Sequence, residues 1–145
     1  MQKLYIIKIG GNIIDDETKR SSFLEKFAGV DGAKILVHGG GKLATRVAEA
    51  MNIPQQLIDG RRITDAETLK VVTMVYAGAI NKNIVAALQA RGINALGLCG
   101  ADANVILAHK RVHPTIDYGF AGDVDAVNSD FISLLLQQNI SLVFA

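Results

Sequence analysis

Short apolar runs alternate along the chain with longer segments in which apolar residues recur at the spacing of one helix face. Runs of the first kind predict strands, and they lie at residues 4–9, 35–37, 95–98, 105–108 and 141–145. The first run has no regular alternation of apolar and polar residues, which predicts a strand buried on both faces. Strands that alternate with helices indicate an α/β fold with a largely parallel sheet.

The helical segments begin with residues that can cap a helix N-terminus. Asp15 and Asp16 precede one segment, Asn128 precedes the last one, and Thr64 opens a Thr-x-x-Glu pattern typical of a capping box. The helix that Thr64 would cap can continue to Gly92, and its part from 71 to 80 is apolar nearly all round. A helix of that kind must be covered on more than one side.

Composition and charge narrow the class of protein. Half of the 145 residues are hydrophobic, and this length and composition suit one domain with a sizeable core. The net charge of +1 gives no support for nucleic-acid binding, and the single cysteine, Cys99, excludes an intrachain disulfide framework and fits a reducing cytoplasm. The apolar stretch at 71–80 is shorter than the ~20 residues that span a bilayer. We therefore expect a cytoplasmic protein without membrane or nucleic-acid partners.

Two glycine clusters follow predicted strands, Gly10 and Gly11 after the first and residues 39–41 after the second. Glycine lets a ligand approach the main chain closely, and consecutive amides in such a turn bind anions. The second cluster leads into a helix, whose N-terminus adds partial positive charge. Lys8 stands just before Gly10, so its ammonium can reach the same strand end. Because parallel sheets bind ligands at the carboxyl ends of their strands, these features together predict a phosphate site.

An arginine pair, Arg61 and Arg62, precedes the predicted cap at Thr64. A guanidinium near a helix N-terminus can hold a carboxylate through two parallel hydrogen bonds. For each arginine taken alone, a solvated surface position is an equally good interpretation.

The three histidines are weaker candidates for a catalytic or metal-binding role. His38, which precedes the second glycine cluster, fits a packing or backbone-bonding role better than a catalytic one. His109 and His113 have a spacing that could suit a metal, but no third ligand or cysteine pair supports it. We therefore predict a plain loop or hairpin there and no metal site.

Two other hypotheses remain open from the residues. Gly39, Gly41 and Ala44 satisfy the G-x-G-x-x-A pattern of a dinucleotide-binding turn, and Asp59 could contact the ribose of an NAD(P) molecule. That interpretation leaves Lys8 and the first glycine cluster without a role. The second hypothesis is a non-catalytic amino-acid-binding or oligomerisation domain.

The stretches "IIKIGG", "VHGGGK" and "GRRIT", in this order, resemble the amino acid kinase family. "GLCGAD" and "YGFAGDVDAVN" continue the likeness, so that it covers essentially the whole chain. The resemblance implies an open three-layer α/β sandwich with a mainly parallel sheet. It also implies transfer of the γ-phosphoryl group of ATP, with Mg as its companion ion, to the side-chain carboxylate of N-acetyl-L-glutamate or a related N-acyl-L-glutamate, a step of arginine biosynthesis. No tightly bound cofactor is expected.

The resemblance also implies roles for single residues. Lys8 would stabilise the transferring phosphoryl group as the catalytic lysine, and the physical argument for a phosphate site agrees with that role. The remaining implied residues are Gly10 and Gly11 on the phosphoryl group, Gly40 and Gly41 on the substrate side, and Arg62 on the α-carboxylate of the substrate.

Residues 1–145 would form the acylglutamate-binding N-terminal lobe in this family, and the ATP-binding C-terminal lobe would lie outside them. We therefore expect these residues alone to be catalytically inactive. The apolar stretch at 71–80 predicts a homodimer through the helix that starts near Asp65, because one face of that helix is enough to pack on the sheet. The family resemblance implies the same pairing of N-terminal lobes.

Overall fold

The computed structural model describes residues 3–145. The strands are β1 (Leu4–Ile9), β2 (Ala33–His38), β3 (Leu57–Ile58), β4 (Arg61–Arg62), β5 (Ala95–Leu98), β6 (Ile106–Lys110), β7 (Gly122–Val127) and β8 (Ser141–Phe144). The helices are α1 (Gly11–Ile14), α2 (Glu17–Ala28), α3 (Gly41–Ala50), α4 (Ala66–Val72), α5 (Asn81–Gln89) and α6 (Ser129–Gln137). A π-helical segment, Thr73–Ile80, joins α4 to α5, and a 3₁₀ turn, Asp102–Asn104, precedes β6.

A four-stranded sheet in the order β1-β2-β8-β5 forms the centre of the fold, and every neighbouring pair in it is parallel. This confirms the predicted α/β class. The predicted bounds of β1 and β5 agree with the structure, whereas β2 is longer than the stretch predicted from apolar residues alone. All four strands end at one edge of the sheet, because parallel strands share a direction.

Helices cover both faces of the sheet, which gives the three layers expected of an open sandwich. Successive residues of a strand point to opposite faces, so Leu36 joins the core under α2 and α5, and Ile35 joins a second core under α6. The same alternation in β8 sends Val143 to the first core and Leu142 to the second. Both cores are therefore anchored on the two central strands.

The prediction that β1 is buried on both faces is wrong. Ile9 packs into the first core, whereas Leu4, Ile6 and Lys8 are exposed on the opposite face, with Ile6 at 66% exposure. The reason is position: β1 is an edge strand, and α6 packs on β8 without reaching it. An apolar run shows that a strand is hydrophobic but does not show which of its faces is covered.

The segments α4, Thr73–Ile80 and α5 form one continuous helix of 24 residues, Ala66–Gln89. By length and composition alone it is apolar enough to cross a membrane, yet one side of it lies in the protein core, where Val75 is 3% exposed and Ile84 is fully buried. Among the large apolar residues of its central stretch, Met74 stays on the surface at 49% exposure. The surface available for self-association is therefore narrower than the all-round apolar pattern predicted.

Side chains cap three of the helices. Asp16 accepts the N–H of Lys19 at 3.0 Å, and Asn128 caps α6 as predicted. The predicted cap at Thr64 is wrong, because Asp65 accepts the N–H of Thr68 at 2.7 Å and α4 begins one residue later than a Thr64 cap requires. Asp is as good a cap as Thr, so the sequence pattern alone did not decide between these neighbours.

Two antiparallel hairpins stand outside the central sheet. One joins β3 to β4 across a turn at Asp59 and Gly60. The other joins β6 to β7, and an ion pair between Arg111 and Asp123 and a hydrogen bond between His109 and Asp125 tie its two sides together. The sequence predicted part of β6 but missed β7, whose aspartates and glycine give it little strand character.

Candidate functional site

The two glycine clusters lie side by side at the carboxyl edge of the sheet. In the parallel pair of β1 and β2, Ile9 is in register with His38, so Gly10 and Gly39 follow at equivalent positions. A hydrogen bond of 3.5 Å from Lys42 Nζ to Asn12 Oδ1 links the helix after one cluster to the helix after the other. The structure therefore brings together the two turns that the sequence predicted to share one site.

The helices that follow the glycine clusters begin without a side-chain cap. Gly10 is the cap residue of α1 and Gly40 is the cap residue of α3, and neither has a side chain to accept from the first amides. The first amides of a helix have no acceptor inside the helix. The glycine turns consequently present N–H groups and the positive ends of helix dipoles to whatever lies at this edge.

Backbone conformation does not explain the glycines at these turns. Gly10 has φ −96°, and side chains built at Gly10 or Gly39 would meet nothing within 4 Å. Gly40 is different, because a side chain there would collide with Ile80 and press on the Tyr76 ring. Packing within the chain thus accounts for Gly40, and the open space at Gly10 and Gly39 is what close approach of a ligand requires.

Lys8 is exposed and lies on the uncovered face of β1, just before the first glycine turn. Its ammonium makes no ion pair among residues 3–145. Lys42, on the first turn of α3, adds a second exposed ammonium beside the clusters. Lys42 is the last residue of the "VHGGGK" stretch, but it was not predicted to be a site residue.

Arg62 reaches from β4 to the first turn of α3. One guanidinium nitrogen donates to the Gly41 carbonyl at 3.2 Å and to Thr45 Oγ1 at 2.8 Å, and the other donates to Gln55 Oε1. These contacts hold a half-buried guanidinium beside the second glycine turn. They use part of its five N–H groups, so it keeps donors for a ligand.

The β6–β7 hairpin supports the segment that carries Arg62. Thr64 donates its N–H to the Tyr118 carbonyl at 3.1 Å and accepts the Phe120 N–H at 2.7 Å. Gly119 lies between these contacts with φ +68°, and a side chain there would collide with the backbone of Thr64. Only glycine combines this left-handed backbone with so close an approach. The "YGF" stretch thereby fixes the chain two residues after Arg62.

Tyr76 and Asp15 complete the wall behind the glycine turns. A side chain built at Gly41 would stand 3.6 Å from the Tyr76 hydroxyl. Burial raises the pKa of Tyr76, the Arg62 guanidinium opposes that rise and the Asp15 carboxylate adds to it, so the phenol stays neutral. Both carboxylate oxygens of Asp15 are buried with no hydrogen-bond partner in the described part of the chain. Neither residue was predicted to belong to the site. Tyr76 reaches it only through the fold, and Asp15, four residues after Gly11, was interpreted as a helix cap.

The dinucleotide hypothesis is not supported by the topology. Asp59 lies exposed in the β3–β4 turn with φ +50°, whereas the fingerprint needs an acidic residue at the end of a second parallel strand. Ala44 is fully buried. His109 and His113 lie on β6 and in the loop after it, and within residues 3–145 no three His, Cys, Asp or Glu residues form a group that could hold a metal ion.

A cleft of about 410 Å³ beside the glycine turns is lined by Asp15, Lys42, Thr45 and Arg46. A cavity of about 400 Å³ is lined by Lys34, Asn94 and Asn139 at the amino end of the sheet, where Lys34 donates to the carbonyls of Ala28 and Val30. Burial lowers the pKa of Lys34. Gly40 is buried, and the other four glycines of the two turns are partly exposed. The candidate site is therefore a partly open edge of amides and cations with a cleft beside it.

The sequence of the chain matches that of a known protein family. The sequence pattern described as "Amino acid kinase family" matches residues 3–145. The chain belongs to the amino acid kinase family. This confirms the family resemblance of the glycine and arginine motifs.

Curated members of the amino acid kinase family are closely similar in sequence. An acetylglutamate kinase of Cytophaga hutchinsonii is 59% identical over 100% of this chain, and one of Phocaeicola vulgatus is 55% identical over 99% of it. An acetylglutamate kinase of Methanopyrus kandleri is 42% identical over 90% of the chain. The matches cover 55%, 56% and 52% of those relatives, so the chain spans about half of their length.

Solved structures share the fold at low sequence identity. A Streptococcus mutans protein superposes with a TM-score of 0.81 at 24% identity, covering 97% of this chain and 58% of that one. An N-acetylglutamate synthase of Neisseria gonorrhoeae, complexed with coenzyme A and N-acetyl-glutamate, superposes with a TM-score of 0.77 at 19% identity, covering 97% and 32%. At these identities the likeness concerns the fold alone.

Proposed function

We propose that residues 1–145 are the acylglutamate-binding lobe of an acetylglutamate kinase, an enzyme that moves the γ-phosphoryl group of ATP to the side-chain carboxylate of N-acetyl-L-glutamate. The observation that carries this proposal is the guanidinium of Arg62, held beside two adjacent uncapped glycine turns. A dicarboxylate that becomes an acyl phosphate needs a cation to bind one carboxylate and amide N–H groups to bind the phosphorylated end. The names of the relatives at 59% and 55% identity support the same reaction.

Each residue has a distinct task in this proposal. Arg62 pairs with the α-carboxylate of N-acetyl-L-glutamate through the donors that its protein contacts leave over. The amides of Gly40 and Gly41 hold the substrate side, and those of Gly10 and Gly11 face the phosphoryl group. Lys8 neutralises the negative charge that spreads over the phosphoryl oxygens in the transition state. Positioning and fixed positive charge suffice, because phosphoryl transfer needs no covalent nucleophile from the protein.

ATP is a co-substrate in this reaction, and a magnesium ion would arrive with its phosphates. We propose that most of the ATP contacts come from a C-terminal lobe outside residues 1–145, and that these residues alone do not turn over substrate. An assay that traps acyl phosphate with hydroxylamine tests this part. ATP-dependent hydroxamate formation by the 145-residue chain would contradict it.

Titration calorimetry with N-acetyl-L-glutamate tests the carboxylate clamp. Arg62→Ala should weaken binding at least about tenfold, because a hydrogen bond to a charged group is lost. Arg61→Ala is the matched control, since it removes the same charge from the neighbouring exposed position. Equal effects of the two substitutions, or no binding by the unchanged chain, would contradict the proposal.

We also propose that two copies pair through the helix Ala66–Gln89 in the cytoplasm, as the family resemblance implies. Support comes from Met74, which is 49% exposed in a mostly apolar stretch. Sedimentation velocity at micromolar concentration should find a dimer that Met74→Lys dissociates. Val75 is unsuitable for this test, because it is 3% exposed and a charge there would disrupt the core. A monomeric chain, or a dimer indifferent to Met74→Lys, would contradict the pairing.

A further inference from the structure

A buried polar network lies beneath the second glycine turn. Its central residues are His38, which is 4% exposed, and Asn81, which is fully buried. Asn81 Nδ2 lies 3.1 Å from His38 Nε2 and 2.9 Å from the carbonyl oxygen of Val143. Lys82 Nζ donates to Asn81 Oδ1 at 3.1 Å and to the Gly97 carbonyl at 2.9 Å. The network therefore connects the ends of β2, β5 and β8 to the start of α5.

The partners in this network determine the tautomer of His38. Asn81 Nδ2 can only donate, so His38 Nε2 must accept. His38 Nδ1 lies 3.0 Å from the carbonyl oxygen of Gly39, which can only accept, so Nδ1 must carry the proton. Burial lowers the pKa of His38, and the bond to Gly39 offsets part of that shift. The ring is consequently neutral near neutral pH, as these two hydrogen bonds require.

The bond from His38 fixes the orientation of the peptide between Gly39 and Gly40. In a trans peptide the C=O and the N–H point in opposite directions. Because the Gly39 carbonyl turns toward the buried imidazole, the Gly40 N–H turns away from it. Within residues 3–145 that N–H has no acceptor. A glycine pair without this tie could rotate, because glycine has little preference among backbone conformations.

We propose that His38 and Asn81 are positioning residues that hold the Gly39–Gly40 peptide with its N–H aimed at the bound substrate. Asn81 holds the imidazole, and the imidazole holds the Gly39 carbonyl. Neither side chain touches the ligand. The identity of that ligand, an acylated glutamate, rests on the proposed function; the peptide orientation does not.

The packing around Asn81 supports a network held in one arrangement. A side chain built at Gly97 would collide with the Asn81 amide and stand 3.0 Å from Lys82 Nζ. Asn81 cannot move aside, because it is fully buried and bonds to the Val143 carbonyl. The glycine at position 97 of the neighbouring strand thus makes room for the amide. Every side-chain nitrogen and oxygen atom of His38 and Asn81 has a partner, which is the condition under which a buried network rigidifies its surroundings.

The tautomer gives a test that needs no ligand. Long-range ¹H–¹⁵N spectra of the chain labelled at histidine should show His38 protonated at Nδ1 and unprotonated at Nε2. A ring protonated at Nε2 would leave the Gly39 carbonyl without its donor. That result would overturn the proposal whatever the function of the protein.

Two amide substitutions separate positioning from simple packing. Asn places an amide nitrogen where His has Nδ1, so His38→Asn can keep the bond to Gly39 while losing the one to Asn81. Gln places an amide oxygen near the position of Nε2, so His38→Gln keeps the Asn81 partner and loses the donor to Gly39. Calorimetry should therefore find at least about tenfold weaker N-acetyl-L-glutamate binding for His38→Gln and less than about threefold for His38→Asn.

The free energy of unfolding of both variants, measured in urea, supplies the control. We expect the two losses of stability to be similar, because each variant breaks one buried hydrogen bond of the network. The proposal would be overturned if, in both variants, the loss of N-acetyl-L-glutamate affinity were proportional to the loss of unfolding free energy. Binding by His38→Gln as tight as that of the unchanged chain would also overturn it. If the unchanged chain does not bind N-acetyl-L-glutamate while His38 shows the Nδ1–H tautomer, the proposed function fails and the peptide orientation stands.

Discussion

The helix starts of this protein fall into two groups. The helices α2, α4 and α6 begin with Asp16, Asp65 and Asn128, each of which accepts a hydrogen bond from an amide of the first turn. The helices α1 and α3 begin at Gly10 and Gly40 with no side-chain acceptor. A cap typically contributes about 1 kcal/mol to stability, so its omission at two sites has a cost.

Location explains the difference between the groups. The two uncapped starts directly follow neighbouring parallel strands of the central sheet and lie side by side, whereas the capped helices α2, α4 and α6 follow α1, β4 and β7, none of which belongs to that sheet. An unsatisfied amide is useful where a ligand supplies the acceptor. The uncapped starts are therefore a local property of the carboxyl edge between β1 and β2 and not a general weakness of the helices.

The largest expected effect on stability concerns packing at an uncapped start. Gly40→Ala should lower the free energy of unfolding by about 1–3 kcal/mol, because the new methyl group collides with buried Ile80 and presses on Tyr76. Urea denaturation measures this loss of unfolding free energy. Gly39→Ala is the control, since its methyl group meets nothing within 4 Å. Equal stability of the two variants would show that Ile80 can move aside and that packing does not explain Gly40.

Removal of a cap should have a smaller effect. Asn128→Ala should cost about 1 kcal/mol, because the N–H of Phe131 loses its acceptor at 3.0 Å. Thermal or urea unfolding measures the loss. A variant as stable as the unchanged protein would indicate that water replaces the cap at no cost. That result would contradict the claim that the uncapped helix starts cost stability.

The acidic caps should add a pH dependence that the glycine starts lack. The hydrogen bonds from Thr68 lower the pKa of Asp65 below its usual value of 3.8. The folded state therefore binds this proton less readily than the unfolded state, so the stabilisation is complete above the unfolded pKa and disappears as pH falls through the folded one. The stability difference between the unchanged chain and Asp65→Ala should be constant from about pH 5 to 7 and shrink below about pH 4. A difference that grows on acidification would contradict this account.

The smallest effect on stability is expected at the first glycine turn. Gly10→Ala should change the free energy of unfolding by less than about 0.5 kcal/mol, because φ of −96° suits alanine and the space beside it is empty. The difference in melting temperature between Gly10→Ala and the unchanged protein measures this effect. A loss as large as that of Asn128→Ala would mean that the fold itself requires this glycine.

Local signals in the sequence were enough to predict the four strands of the central sheet, their parallel direction and the glycine turns. The bounds of β1 and β5 agree with the structure because apolar runs report strands directly. The exposed face of β1 could not be predicted, because the order of strands in a sheet decides which of them lies at the edge. The cap at Asp65 was missed because two adjacent residues could both serve.

The candidate site was predictable only where its residues adjoin the motifs. Arg62 was singled out from its position before a helix, but its contacts with Thr45 and Gln55 depend on how β4 lies against α3. Asn81 reaches His38 across 43 positions of sequence, and no local pattern announces such a pair. Buried polar networks of this kind become visible only when the fold is known.

The amide spectrum of the chain shows whether the ligand binds at the two uncapped helix starts. ¹H–¹⁵N correlation spectra should be recorded while N-acetyl-L-glutamate is added. The account predicts that the amides of Gly40 and Gly41 shift with the ligand, while the capped amides of Thr68 and Phe131 stay in place. Shifts at the capped helix starts equal to those at the glycines, or no shift at the glycines, would contradict the claim that the uncapped starts form the binding site.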